Sequence, residues 1–387
     1  MPDSNHYDYI IAGGGCAGMS LVYYMNQTEL KNKKILIIDK IKKNQNDRTW
    51  CFWEKEVSEF ENIVCKKWEK LNFFSDDYSA SLNFSPFKYK MIRGIDFYEF
   101  ININILYNSN IEFYYGEVRE IINHPLKAEV HINDNIFSAD YVFNSIFNLD
   151  DIKNKKPLSY ILQHFKGWEI ETVENVFNSN EATFMDFRIE QKDECRFFYV
   201  LPISSTKALV EFTIFSPQIL ENDAYDNEIK DYLNRHFKIK DYKINHEEFG
   251  VIPMTDANFT QVRNSRIINI GTAGGKVKAS SGYAFMRIQQ QTKEIVKNLL
   301  SNKLPNSVEE KTRFKLYDSV LLNIMSKNLY PASKIFTSLF KNNTTPKILS
   351  FLNEETSLME DLKIMSTTHY PPFIKSLYDI IKFKLYK

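Results

Sequence analysis

The spacing of apolar and polar positions changes period several times along the chain. Two apolar runs of strand length, "YDYIIA" and "KKILIID", flank a stretch with helical spacing, "CAGMSLVYYM". "RGIDFYEFININIL" predicts a second helix, with Asp96 and Glu99 spaced for a capping box at its start. "IEFYYGEVREI" predicts a strand pair or hairpin, and "EVHINDNIFSADYVFNS" a β-meander ending in a buried strand. From about Lys155 to Glu248 short strands dominate, such as "EATFMDFRIE", "CRFFYVLPIS" and "KALVEFTIF", before a helix over "NDAYDNEIKDYLNRHF". "SRIINIG" then reads as a buried strand, followed by a Gly/Ser-rich loop and a helix beginning near Gly282. Further on, Ile348, Leu349, Leu352, Leu358 and Leu362 have helical spacing around "FLNEETSLMEDLKIM", so Glu354 and Glu355 are expected on a helix surface.

"KALVEFTIF" raises a question of its own. Alternation puts Ala208, Val210, Phe212 and Ile214 on a wholly apolar face, and Leu209, Glu211, Thr213 and Phe215 on the other. Two environments are open to Glu211. It either points into water from a half-exposed strand, or faces an apolar cavity that keeps its carboxyl protonated.

Composition narrows the field. A chain of 387 residues suits two or three intertwined domains. Lys plus Arg equals Asp plus Glu at 49 each, which argues against a nucleic-acid partner held by bulk charge. No run of 18 apolar residues is present, and the N-terminus lacks the basic and apolar regions of a signal peptide. Cys16, Cys51, Cys65 and Cys195 have no metal spacing and no CxxC, so no metal is expected and reduced, cytosolic thiols are. Aromatic residues at 14% suit large apolar pockets.

Gly13, Gly15 and Gly18 fit G-x-G-x-x-G between the first strand and the first helix. The first glycine permits the tight turn, the second lets a pyrophosphate approach the backbone, and the third lets helix and strand pack closely. Asp39 ends the second strand 21 residues after Gly18, where a ribose-binding carboxylate belongs. The second glycine cluster, "GTAGGKVKASSGYAF", again offers open backbone before a helix. Clusters at both ends of a β insertion predict one dinucleotide held by both ends of the chain. The domains expected are a discontinuous nucleotide domain (1–75, 91–154, 249–300), an antiparallel β domain (76–90, 155–248) and a helical region (301–387). Between them "DRTWCFWEK", with Trp50 and Trp53, is either a pinned surface loop or a lining for the cofactor edge or substrate cavity.

Four stretches, "IIAGGGCAG", "DRTWCFW", "FYVLPISSTKALVEFT" with its downstream "GVIPM", and "GTAGGKVKASSGYAF", span about residues 7–290. Together they resemble the lycopene cyclase family, specifically the bacterial β-cyclases of carotenoid synthesis. The resemblance implies an α/β (α+β overall) fold: a Rossmann-type FAD domain like that of the aromatic-hydroxylase flavoproteins, an antiparallel β substrate domain and a helical C-terminal region. It implies FAD, active when reduced, held by Gly13, Gly14, Gly15, Ala17, Gly18, Asp39, Lys40, Val118, Gly271, Gly274, Gly282 and Tyr283, with NAD(P)H as reductant. The implied reaction is non-redox cyclisation of the apolar polyene lycopene to β-ionone rings (β-carotene via γ-carotene), with Glu211 as the catalytic acid. Plant members carry two adjacent glutamates, whereas here Phe212 follows Glu211.

Lycopene lives in membranes, and "PPFIKSLYDIIKFKLYK" interleaves apolar residues with Lys375, Lys382, Lys384 and Lys387. The segment reads either as a core-packing helix or as an interfacial one. The second case implies a cytoplasmic protein attached peripherally to the inner face of the cell membrane. Two rivals stay open: a flavin-dependent reductase or monooxygenase on a prenyl or polyene substrate, and a non-catalytic flavin or carotenoid carrier. "ADYVFNSIFNLDD" lacks the Asp-Gly pair of the hydroxylases, and Gly271-Thr272 stands where they have Gly-Asp, which speaks against that branch.

Overall fold

The computed structural model describes residues 5–259, 261–262, 264–306 and 311–385. The first apolar runs form β1 (His6–Ala12), α1 (Cys16–Asn26) and β2 (Ile35–Asp39). The chain then leaves for β3 (Thr49–Glu54), β4 (Lys66–Trp68), β5 (Lys70–Ser75), β6 (Tyr78–Asn83) and β7 (Lys88–Arg93). It returns through α2 (Gly94–Ile105), β8 (Ile111–Tyr115), β9 (Val118–Asn123), β10 (Ala128–Ile132) and β11 (Asn135–Asn144). After α3 (Leu149–Asn154) come β12 (Tyr160–Glu171), β13 (Glu181–Asp186), β14 (Cys195–Pro202), β15 (Lys207–Ser216), α4 (Asn222–Tyr232) and β16 (Lys243–Thr255). β17 (Ile267–Asn269) and α5 (Phe285–Leu300) precede α6 (Thr312–Ser326), α7 (Ala332–Asn342), α8 (Thr345–Leu352), α9 (Leu358–Met365) and α10 (Pro371–Leu385).

Two seven-stranded sheets result. The first runs β8-β2-β1-β11-β10-β9, with β17 on the C-terminal half of β11. β8, β2, β1, β11 and β17 pair in parallel, the arrangement of a nucleotide-binding sheet. α1, α2 and α5 cover one face through Leu21, Val22, Ile101 and Ile295. The antiparallel meander β9–β10–β11 folds over the other, packing Val130 and Phe137 near Ile10 and Leu36. The expected hairpin at "IEFYYGEVREI" is therefore not formed. β8 pairs with β2 and β9 with β10, at opposite ends of the pairing order, although only Gly116 and Glu117 join them. Each strand thereby pairs with a buried neighbour, β2 or β10, and not with the other largely exposed strand. The capping box is also absent, because Asp96 pairs with Arg93 instead.

The second sheet runs β16-β12-β15-β14-β13-β5-β6 and is antiparallel except at β13–β5. Its outer face, with Val210, Phe212 and Ile214, packs beneath α4, as alternation requires. Its inner face, with Phe197, Tyr199 and Phe215, packs towards α7 and α8. β5 and all of β16 belong to this sheet, so it reaches across the domain boundaries drawn at 75 and 248. A small sheet β3-β7-β4 joins the halves. "TWCFWE" is thus a strand rather than a loop, paired with β7 from Thr49↔Arg93 to Glu54↔Lys88.

Candidate functional site

The glycine turn assigns each of its glycines a separate duty. Gly13 has φ of +103°, where a side chain is strained. A Cβ on Gly18 would stand 2.1 Å from the carbonyl oxygen of Gly13, so helix and strand could not pack. A Cβ on Gly15 would meet nothing within 4 Å, so that face of the backbone is open. No side chain caps α1, and its first turn carries no acid. Open backbone at an uncapped helix start suits an anionic pyrophosphate. The Gly14 N–H donates to Asp39 Oδ2 at 2.8 Å, so Asp39 also braces the turn. Lys40 is exposed and pairs with Glu117 at 2.6 Å. Val118 packs half-buried on the meander core, two residues past Gly116, whose N–H donates to the Asp39 carbonyl.

A cavity of about 360 Å³ opens between the two sheets and gathers Gly15, Ala17, Gly271, Gly282, Tyr283 and Glu211. Gly274 lies outside it, on the far side of its loop, facing a separate cavity. Trp50 lines the cavity and lies 5.7 Å from Phe285 between ring centroids. Trp53 is set behind it, edge-on to Tyr283 and donating to Asn353 Oδ1 at 2.8 Å.

Glu211 lines this cavity and is half-buried. Thr213 Oγ1 donates to its Oε1 at 2.7 Å. Burial first, and then the neighbouring Glu248, push the Glu211 carboxyl up to about 8. Strand register sets Tyr199, Glu211, Gly167 and Glu248 in one row across β14, β15, β12 and β16. Tyr199, Glu211 and Glu248 all line the cavity. Burial likewise raises Glu248, to about 7, against hydrogen bonds from Thr49. Sequence reasoning missed this second carboxylate. Its signal was the same as that of Glu211, an acid on the inward positions of a strand, but the domain boundary placed at 248 cut that strand in two.

A second, apolar cavity of about 450 Å³ lies between the inner face of the antiparallel sheet and the C-terminal helices. Phe184, Phe215, Phe336, Phe340, Phe351 and Leu377 are among its walls, and it shares Tyr199, Ser281 and Tyr283 with the first cavity. The Tyr89 and Tyr283 hydroxyls meet at 3.1 Å beside that shared wall.

Glu354 is not on a helix surface. It occupies the turn between α8 and α9 with φ of +63°. Its Oε1 accepts from Lys278 Nζ at 3.1 Å and Arg287 at 2.7 Å. Lys278 also bonds Asp318 at 2.9 Å, so these charges lock the second glycine loop to the helical region. Despite burial, Lys278 and Arg287 hold the Glu354 carboxyl below its usual range. Glu355 is exposed and pairs with Lys55. Helical spacing on either side hid the two-helix turn that carries both acids.

The fold is shared with solved flavoproteins at low sequence identity. A geranylgeranyl bacteriochlorophyll reductase-like protein from Thermoplasma acidophilum superposes with a TM-score of 0.60 at 12% identity, over 97% of this chain and 99% of that one. A flavoprotein/dehydrogenase from Cytophaga hutchinsonii gives 0.60 at 12% identity, over 94% and 98%. A flavin-dependent brominase gives 0.57 at 12% identity, over 99% and 100%. No curated protein matches the sequence. The family model described as lycopene cyclase protein matches residues 8–377, nearly the whole length, and the chain therefore belongs to the lycopene cyclase family.

Proposed function

We propose that the protein cyclises the end groups of lycopene to β-ionone rings without net redox change, with reduced FAD as cofactor and NAD(P)H as its reductant. The observation that carries this reading is the position of Glu211. A carboxyl with raised proton affinity faces a glycine-lined cavity that shares three wall residues with an apolar one. A polyene has no polar handle, so its site must be apolar and shaped. An alkene is a very weak base, so its acid must be held protonated and kept from water.

The open face at Gly15 and the uncapped start of α1 fit the pyrophosphate of FAD, with the Gly271–Tyr283 loop closing the other side. Reduced FAD, when bound, supplies negative charge near a developing cation. Glu211 gives its proton to the terminal double bond of the end group. The resulting tertiary cation is attacked by the neighbouring double bond, which closes the ring, and a proton is then lost. The ring faces of Tyr199 and Tyr283 stabilise the cation, each worth up to about 2 kcal/mol when dry.

Delivery of the polyene from a membrane fits the C-terminus. On α10, Ile374, Leu377, Tyr378, Ile381 and Leu385 are exposed beside Lys375, Lys382 and Lys384, while Ile380 is buried. Ile374 and Leu377 also line the apolar cavity, so its rim coincides with this face. No described helix is long and apolar enough to cross a membrane. Lys387 lies outside the described residues. α10 is then an interfacial helix at the mouth of the cavity, attached peripherally to the cytoplasmic face of the membrane. The test is a product mass from lycopene-producing cells expressing the protein. An isomer of lycopene supports cyclisation. Addition of oxygen or of two hydrogens, or unreacted lycopene, points to a monooxygenase, a reductase or a carrier respectively.

A further inference from the structure

We propose that Glu248 is the base that takes the ring proton at the end of cyclisation, and that it works as a pair with Glu211 across the side-chain gap at Gly167. The proposal rests on the cyclase reading for its substrate, and on strand geometry for its residues.

Glu211 and Glu248 are cross-strand neighbours of the same residue, Gly167 on β12. Adjacent strands lie about 4.8 Å apart, so an ordinary side chain at position 167 would separate the two carboxyls. Glycine leaves room there, into which the Glu248 side chain leans and which Leu209 Cδ1 also reaches, 3.1 Å from where a Cβ would stand. A Cβ on Gly167 would stand 3.1 Å from Glu248 Cγ and 3.3 Å from its Oε1. Glycine inside a strand weakens it, and is expected where something must approach the backbone closely. Glu248 is 6% exposed, yet its Oε2 has no hydrogen-bond partner. A buried carboxylate oxygen left without a donor costs stability unless it serves a ligand or a proton.

The charges around the pair are mixed. Arg48 and Thr49 favour the ionised form of Glu248 while Glu169 opposes it. Cys51, Tyr199 and Tyr283 face Glu211, with thiol and phenols held neutral by burial. The charged form of Glu248 therefore has a cation as well as Thr49 in its favour, whereas that of Glu211 has Thr213 alone. The cycle balances. Glu211 gives a proton to the alkene, the ring closes, and the ring cation loses a C–H proton to the Glu248 carboxylate. Transfer of that proton to Glu211 across the gap restores the start, and the product is an isomer of the substrate.

Flavin-loaded wild type, Glu248→Gln and Gly167→Ala are compared by infrared titration of the carboxyl band and by turnover on lycopene in liposomes. Glu248→Gln is expected to lower the Glu211 titration by about one unit or more, because a neighbouring negative charge is gone. Its turnover should fall roughly 100-fold or more, and the acidic limb of the pH profile should disappear. Its residual rings should carry their double bond elsewhere, since another C–H must lose the proton. Gly167→Ala keeps both acids but wedges them apart, and should move the titration and turnover in the same direction by less. It decides the question if Glu248→Gln loses its flavin. Wild-type turnover and ring position in Glu248→Gln, or an unmoved Glu211 titration in either variant that folds, overturns the pair while leaving the cyclase reading intact. A wild-type chain that forms no rings overturns the cyclase reading, and the base assignment with it.

Discussion

At the scale of single residues, the carboxyl chemistry of Glu211 and its volume can be separated. Glu211→Gln keeps the size and the bond from Thr213, and removes the acidity. Folded, flavin-loaded protein with turnover lowered roughly 100- to 10,000-fold is expected, measured on lycopene in liposomes. Wild-type rates would make the strand glutamate a bystander. Gly15 allows a similarly clean separation. Its Cβ position is empty, so Gly15→Val should fold normally yet exclude a pyrophosphate from the turn. Loss of flavin absorbance, with thermal unfolding equal to that of flavin-stripped wild type, is the expected result. The glycines and Glu211 were legible in the sequence because each breaks a local pattern: glycine where a helix begins, a charge where a strand is apolar. Glu248 and Gly167 break patterns too, but their meaning lies in register between strands far apart in the chain, which no single stretch displays.

At the scale of elements, legibility followed how local the pairing is. The helices over Gly94–Ile105 and Asn222–Tyr232, and the antiparallel pair β10–β11, are dictated by neighbouring residues and were readable. The partners of β8 were not, since alternation fixes faces but not neighbours. The Glu354 turn shows the same limit and changes what should be expected of it. Glu354→Gln leaves Lys278 and Arg287 short of a carboxylate in a nearly buried cluster, and should cost roughly 1–3 kcal/mol in chemical denaturation. Because those cations hold the Glu354 proton affinity below normal, its contribution is complete at neutral pH. It fades only as pH falls through that lowered value, so the variant and wild type should converge in stability in acid. Glu355→Gln should be neutral, its ion pair being exposed. Removing α10 from Pro371 onwards should lower liposome binding and turnover on membrane-embedded lycopene. Unchanged partitioning would make α10 a packing helix only.

At the scale of the whole molecule, a cofactor that keeps its electrons predicts a distinctive stoichiometry. Turnover should require reduction, dithionite should replace NAD(P)H, and nicotinamide oxidation should not rise in proportion to rings formed. Proportional oxidation would favour a reductase. The path of the chain carries a different consequence. It passes from the parallel sheet to the antiparallel one and back twice, through β5–β6 and again through β12–β16. The cavity wall accordingly draws on segments from Gly15 to Ile288. Recombination between two related genes at any single point within that span would thus assemble the cavity from both parents, whereas a single crossover beyond Ile288 would leave the wall from one parent.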